Sequence, residues 1–158
     1  MIFVTVGTQL PFDRMVAAVD AWSHDNPAVS IFAQVGDSDL DSLSIQHRDF
    51  LPPSEAKRLI TQSDLIVAHA GMGSILTALR FGKPILIMPR RAALGEHRNE
   101  HQMATAKWLE SRSGIFVAWD EHELRQRLDE RAKLLSGDDI PEYASPELLA
   151  KVRQFICE

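Results

Sequence analysis

Apolar residues along the chain fall into short continuous runs, separated by stretches where they recur every three or four positions. The runs Met1–Val6, Ser30–Val35, Leu65–Val67, Ile85–Met88 and Ile115–Val117 have the length of strands buried on both faces. Gln46–Phe50 reads as a shorter strand ending at Leu51-Pro52-Pro53. Between the runs the spacing turns helical. Phe12, Met15, Val16 and Val19 form a face continuing toward Trp22, with Asp13 suited to the positive helix N-terminus. Ser54 opens a short helix carrying its apolar residues at 56, 59 and 60. Met72, Ile75, Leu76 and Leu79 share a face, Gly82 sits where a C-terminal glycine belongs, and Pro84 lies just beyond. A polar loop over 90–99 leads into a helix to about Glu110, with Ala104, Trp108 and Leu109 expected inward and Gly114 ending it. Glu121–Leu135 reads as an amphipathic helix through Leu124, Leu128, Ala132 and Leu135. Residues 137–141 form a break, and Leu148, Leu149, Val152, Phe155 and Ile156 then make one stripe of a last helix over 146–157.

Six strands alternating with helices predict an α/β fold, a doubly wound parallel six-stranded sheet of the Rossmann-like kind. With 158 residues, 45% of them hydrophobic, residues 1–158 are expected to form one domain with a substantial core. Most amphipathic tails pack on their own domain, but the 146–157 helix is also a candidate docking element for a partner. The net charge of −5 argues against nucleic acid as the main partner. Arg90 and Arg91, with Arg98 nearby, make a local basic run that reads either as a phosphate contact or, more commonly, as a solvated loop. A single cysteine, Cys157, rules out an intrachain disulfide and fits a reducing cytoplasm. No stretch approaches the roughly 18 apolar residues of a membrane span, so any membrane contact would come through a partner or a surface patch.

Ligands of such sheets bind beyond the carboxyl ends of the strands. The turns expected at that edge hold Gly7-Thr8, Phe50-Leu51, His69–Ser74 and 90–102. The turn His69-Ala70-Gly71-Met72-Gly73-Ser74 joins a buried strand to a helix whose free N–H groups and dipole favour an anion. Gly71 and Gly73 alone would serve tight helix–sheet packing equally well; His69 and Ser74 on either side tilt the reading toward a phosphate cradle. Gly7-Thr8 is equally a plain turn, and Phe50 more readily a core residue.

His69, Gly71 and Ser74, with Gly82 and Pro84 behind them and Glu100-His101-Gln102 farther on, resemble the donor-binding signature H-x-G-x-x-S…G-x-P of GT-B glycosyltransferases. The pattern is most similar to the glycosyltransferase family 28 C-terminal domain, and within it to the small catalytic subunits of split enzymes. Thr5-Val6-Gly7-Thr8 extends the likeness over nearly the whole chain. The resemblance implies the C-terminal half of a GT-B enzyme, binding a UDP-sugar through Gly7, Thr8, Phe50, Leu51, His69, Gly71, Met72, Gly73, Ser74, Glu100, His101 and Gln102. Gly71, Gly73, Ser74 and His69 would stabilise the departing diphosphate; Glu100, His101 and Gln102 would read the sugar hydroxyls. Neither a metal nor another cofactor is expected, since protein dipoles would take the cation's place.

The family inverts at the sugar, which requires a base to deprotonate the acceptor. In split enzymes the acceptor half and its base belong to a separate, membrane-anchored subunit, so the catalytic residue is not identifiable here and the chain alone should be weak or inactive. The same resemblance implies a polyprenyl-linked acceptor, a hexose of the GlcNAc, Glc or GlcA type, a role in polysaccharide or glycan synthesis such as exopolysaccharide assembly, and recruitment to the cytoplasmic face of the membrane. A homo-oligomer completing its own site stays open. One position departs: many members have a ribose-binding Glu where this chain has Thr77, which weakens the preference for UDP. His97-Arg98-Asn99-Glu100-His101 matches the H-x-x-E-H zinc pattern, but a third ligand would have to come from generic glutamates such as Glu121 or Glu123. Leu76 stands where a dinucleotide fingerprint needs its third glycine. The competing class is a non-catalytic nucleotide-binding module that regulates or assembles a partner.

Overall fold

The computed structural model describes residues 1–137 and 146–157. Six strands, β1 (Ile2–Thr5), β2 (Ile31–Gln34), β3 (Gln46–Arg48), β4 (Leu65–His69), β5 (Ile85–Met88) and β6 (Ile115–Val117), form one sheet in the order β3-β2-β1-β4-β5-β6. Every pairing is parallel, as βα alternation requires. The helices are α1 (Asp13–Asp25), α2 (Pro53–Gln62), α3 (Met72–Arg80), α4 (His101–Leu109), α5 (Glu121–Asp129) and α6 (Pro146–Cys157).

The strands read as continuous apolar runs because alternate residues feed two cores. Ile2, Val4, Leu65, Val67, Leu86 and Met88 join Met15, Val16, Val19 and Trp22 of α1 and Leu124 and Leu128 of α5. Ile66, Ala68, Ile85 and Ile87 join Ile75, Ala78 and Leu79 of α3 and Ala106 and Leu109 of α4. Gly82, Gly95 and Gly114 take positive φ after the helical segments they follow.

Several helix faces differ from the sequence expectation. In α3 the inward positions are Ile75, Ala78 and Leu79, while Met72 and Leu76 are 37% and 48% exposed. A small alanine lets the helix lie close on the sheet, which turns Met72 and Leu76 outward. In α4 Ala104 is exposed and Trp108 is 64% exposed, whereas Gln102, Ala106 and Leu109 are buried. Trp108 instead covers part of its ring with the guanidinium of Arg112, at 5.6 Å from the centroid.

The helix expected over 121–135 stops at Asp129 and a 3-10 turn, Arg131–Lys133, follows, so Leu134 rather than Leu135 enters the core. Strand β3 stops at Arg48, short of Phe50. Gly137 is described, and the rest of the expected break at 138–141 lies outside the described residues. Helix α6 forms as expected, but its stripe does not enter either core: Phe155 is 83% and Ile156 74% exposed. No helix among the described residues is long and apolar enough to cross a membrane.

Candidate functional site

In this strand order β1 and β4 are neighbours whose onward connections leave toward opposite edges of the sheet, which opens a crevice at their carboxyl ends. A cavity of about 440 Å³ lies there. The loop after β1 supplies Gly7, Thr8, Gln9 and Leu10, the β4–α3 turn supplies His69 to Ser74, and the segment after β5 supplies Arg90, His97, His101 and Gln102. Nine of the twelve residues expected from the sequence therefore meet at one place. Phe50, Leu51 and Glu100 are not among the lining residues. Phe50 is 47% exposed and thus not a core residue. Glu100 turns away to accept the N–H groups of Ala92 and Ala93 with Oε1, at 2.9 and 3.4 Å. A larger groove of about 720 Å³ between the end of α4, β6 and α5 carries Glu110, Glu123, Asp129 and Glu130 against a single Arg127, a net-negative lining that disfavours anions.

Each loop is shaped locally. Thr5 Oγ1 donates to Gln34 Oε1 at 3.0 Å and accepts the Gly7 N–H at 3.1 Å, turning the chain sharply at Gly7, whose φ is +78°. At the other side Gly71 caps α3, and the first bond of that helix runs from the Ile75 N–H to the Gly71 carbonyl at 3.2 Å. The N–H groups of Met72, Gly73 and Ser74 precede that bond and have no intrahelical acceptor, and all three residues line the cavity. Thr77 turns its hydroxyl back onto the Gly73 carbonyl at 2.7 Å and lies outside the cavity lining, in the groove between α2 and α3.

His69 stands at the centre. Ser74 Oγ is 3.3 Å from its Nε2, and Gln102 Nε2 is 3.2 Å from its Nδ1. Two glycines abut the ring: a Cβ on Gly71 would lie 2.1 Å from Cε1, and one on Gly7 would lie 2.7 Å from Nε2. Gly73 is different, with nothing within 4 Å of a Cβ placed there. Burial, and next the Arg90 charge, pull the His69 pKa down from 6.5 to about 4, so the ring is neutral at physiological pH.

This depression has a sign that can be tested. Between pH 4 and 6.5 the unfolded chain takes up a proton that the folded ring refuses. The His69 contribution to stability is therefore complete above the unfolded value and is lost as pH falls toward 4, a change of roughly 3 kcal/mol at most. Urea unfolding at pH 7 and pH 4.5 should show the loss in the wild type, and His69→Asn should remove that part of it. An unchanged difference in the variant would assign the pH dependence to other groups.

Arg90 is not the solvated loop residue that the arginine run more commonly implies. It is 2% exposed, and its guanidinium serves backbone carbonyls: Val6 at 2.9 Å, Leu10 at 2.6 Å, Glu96 at 3.4 Å, and Pro11. The same group lies 4.7 Å from the centroid of Phe12. Arg91 is likewise turned into the fold and donates to the Trp119 carbonyl; Arg98 remains exposed. His97 lines the cavity, a placement that the zinc pattern did not suggest; its Nδ1 is 3.2 Å from the Asn99 carbonyl oxygen. Among the described residues no three His, Cys, Asp or Glu side chains converge as a metal site. The arrangement is thus a pocket of preset N–H and hydroxyl donors at a helix N-terminus, suited to a multiply charged oxyanion.

Known proteins share this fold, and the chain spans a third or less of the length of the two relatives it is compared with in sequence. The chain is 31% identical over 129 residues to the UDP-N-acetylglucosamine transferase subunit ALG13 of Mus musculus, covering 72% of this chain and 10% of that protein. It is 27% identical over 137 residues to the uncharacterized UDP-glucosyltransferase YdhE of Bacillus subtilis (strain 168), covering 82% and 33% respectively. The NMR solution structure of ALG13 superposes with a TM-score of 0.62 at 19% identity, over 99% of this chain and 96% of that one. A crystal structure of the glycotransferase of kitacinnamycin gives 0.64 at 18% identity, over 84% and 34%. At such identities the structural likeness concerns the fold, the Rossmann-like sheet of GT-B glycosyltransferases. Residues 1–134 match the glycosyltransferase family 28 C-terminal domain. That span holds β1 to β6 and the whole cavity lining, and the chain belongs to this family.

Proposed function

We propose that the chain binds a UDP-sugar in the His69–Ser74 cavity and is the donor-binding catalytic subunit of an inverting glycosyltransferase. The observation that carries the reading is the convergence of the Gly7 turn, the α3 N-terminus and the His69–Ser74 pair on one cavity. Cleavage of the sugar–phosphate bond leaves negative charge on UDP. N–H groups already aimed at that position stabilise it without reorganisation. The names of relatives, a UDP-N-acetylglucosamine transferase subunit and a UDP-glucosyltransferase, support a UDP-hexose donor of the GlcNAc, Glc or GlcA type. On this reading no metal or other cofactor takes part, and His101, beside the phosphate donors, contacts the sugar.

No side chain of the cavity is assigned as the acceptor base. We place that base on a membrane-anchored partner subunit that binds a polyprenyl-linked acceptor, so the complex would work at the cytoplasmic face of a membrane. Calorimetric titration of the full chain with UDP, UDP-sugars and NAD tests the donor half of this reading. A UDP-sugar should bind, and Ser74→Ala should weaken it roughly 3- to 10-fold, the worth of one hydrogen bond. Binding of NAD in preference to every UDP-sugar would overturn the assignment.

A further inference from the structure

Gln102 is 5% exposed and sits at the second residue of α4, where that helix meets the ends of β4 and β5. Its Oε1 accepts two backbone N–H groups, from Ala70 at 3.1 Å and from Arg90 at 3.2 Å. A backbone N–H can only donate, so this pair fixes which end of the amide is oxygen. The Nε2 end then faces Nδ1 of His69 at 3.2 Å. An amide NH2 can only donate too, so Nδ1 accepts and the ring proton resides on Nε2. That nitrogen is the one 3.3 Å from Ser74 Oγ, and Ser74 lines the cavity.

We propose that Gln102 is a positioning residue: it holds His69 in the Nε2–H form, so that a one-way chain of donors runs from Gln102 through His69 and Ser74 to an anion in the cavity. The anion in that statement rests on the UDP-sugar reading; the proton position does not. A neutral histidine free to exchange tautomers would offer a lone pair to the same anion for part of the time. With Nδ1 engaged, Nε2 always presents hydrogen, and the Ser74 oxygen, accepting from it, has its own proton to give. The reading also limits what Gln102 does for a sugar. Both lone pairs of Oε1 are taken, which leaves only one N–H of the amide, so hydroxyl recognition shifts toward His97 and His101 across the cavity.

The test is long-range 1H–15N correlation spectroscopy of the 15N-labelled full chain at pH 7, with the His69 signals identified by their loss in His69→Asn. The wild type should show a protonated Nε2 and an unprotonated Nδ1. Gln102→Glu keeps an acceptor for both backbone N–H groups but turns the third contact from donor to acceptor, and the proton should move to Nδ1. A wild-type His69 protonated on Nδ1, or a proton that stays on Nε2 in Gln102→Glu, would overturn the proposal. Should Gln102→Glu not fold, Gln102→Met serves: its His69 should show exchange between tautomers, and an unchanged Nε2–H form would again overturn the role.

UDP titration separates the two readings. Gln102→Met should bind UDP about 10-fold more weakly and uridine, which lacks phosphate, unchanged. If the wild type shows the expected tautomer but does not bind UDP, the role of Gln102 stands and the donor reading falls. If UDP binds while the tautomer ignores residue 102, the donor reading stands and the positioning role falls.

Discussion

Arg90→Met is expected to lower the unfolding free energy by about 3 kcal/mol, and the melting temperature by roughly 10 °C. Arg90 is a buried cation whose compensation comes from carbonyl dipoles: those of Val6, Leu10, Pro11 and Glu96, with the Phe12 ring against it. Methionine fills much of the volume but takes the charged donor away from those oxygens. Burial lowers the pKa of this arginine to about 10, with the Glu96 carboxylate pulling the other way, so the guanidinium stays charged at neutral pH. Arg90→Lys should recover little, because an ammonium cannot span the same fork of acceptors. Thermal and urea unfolding of both variants checks this. A loss below about 1 kcal/mol in Arg90→Met would mean that water or a local shift satisfies the carbonyls instead.

Arg90 also shows where sequence reading ran out. Charge in a loop reads as solvated because most such charges are. Nothing in Arg90-Arg91 says that the loop after β1 folds over the first and presents carbonyls to it. Gln102 is a similar case: a polar residue at an inward helical position breaks the amphipathic pattern, so Ala104 and Trp108 are expected inward beside Leu109, whereas Gln102 and Ala106 join Leu109 on the buried face. The α3 face shifted for a related reason, since Ala78 gives close contact without the bulk that periodicity counts.

The sheet, by contrast, was legible. Strands such as Leu65–His69 and Ile85–Met88 are buried on both faces, and their unbroken apolar runs admit few alternatives. The cavity was legible where the backbone turns: the Gly7 turn and the 69–74 turn that line it carry glycines that periodicity cannot explain. It was not legible where a side chain reaches across the fold, as Glu100 does toward Ala92 and Ala93.

The largest effect on ligand binding is expected from Gly71→Ala, with a loss of at least roughly 30-fold in UDP affinity. The backbone at Gly71, φ −88° and ψ 133°, suits any residue, so strain is not the cause. The cause is the ring of His69. A methyl group at position 71 would stand 2.1 Å from Cε1 and 2.7 Å from Nδ1, where no atom fits. The ring must leave its place, and with it go the contact to Gln102 and the alignment with Ser74. Stability should fall less, by about 1–2 kcal/mol, as overpacking at the edge of a cavity relaxes into open space. Gly73→Ala is the matched control. Its Cβ meets no atom within 4 Å beyond its chain neighbours and its own turn of helix, so folding should change by under about 0.5 kcal/mol. Any loss of UDP affinity in that variant then reports a ligand lying against the backbone at residue 73, because nothing in the protein is there to be disturbed. If Gly71→Ala binds UDP as the wild type does, the anion is not held by His69 and Ser74. If Gly73→Ala alone impairs binding, the N–H groups of the α3 first turn do the holding without the histidine.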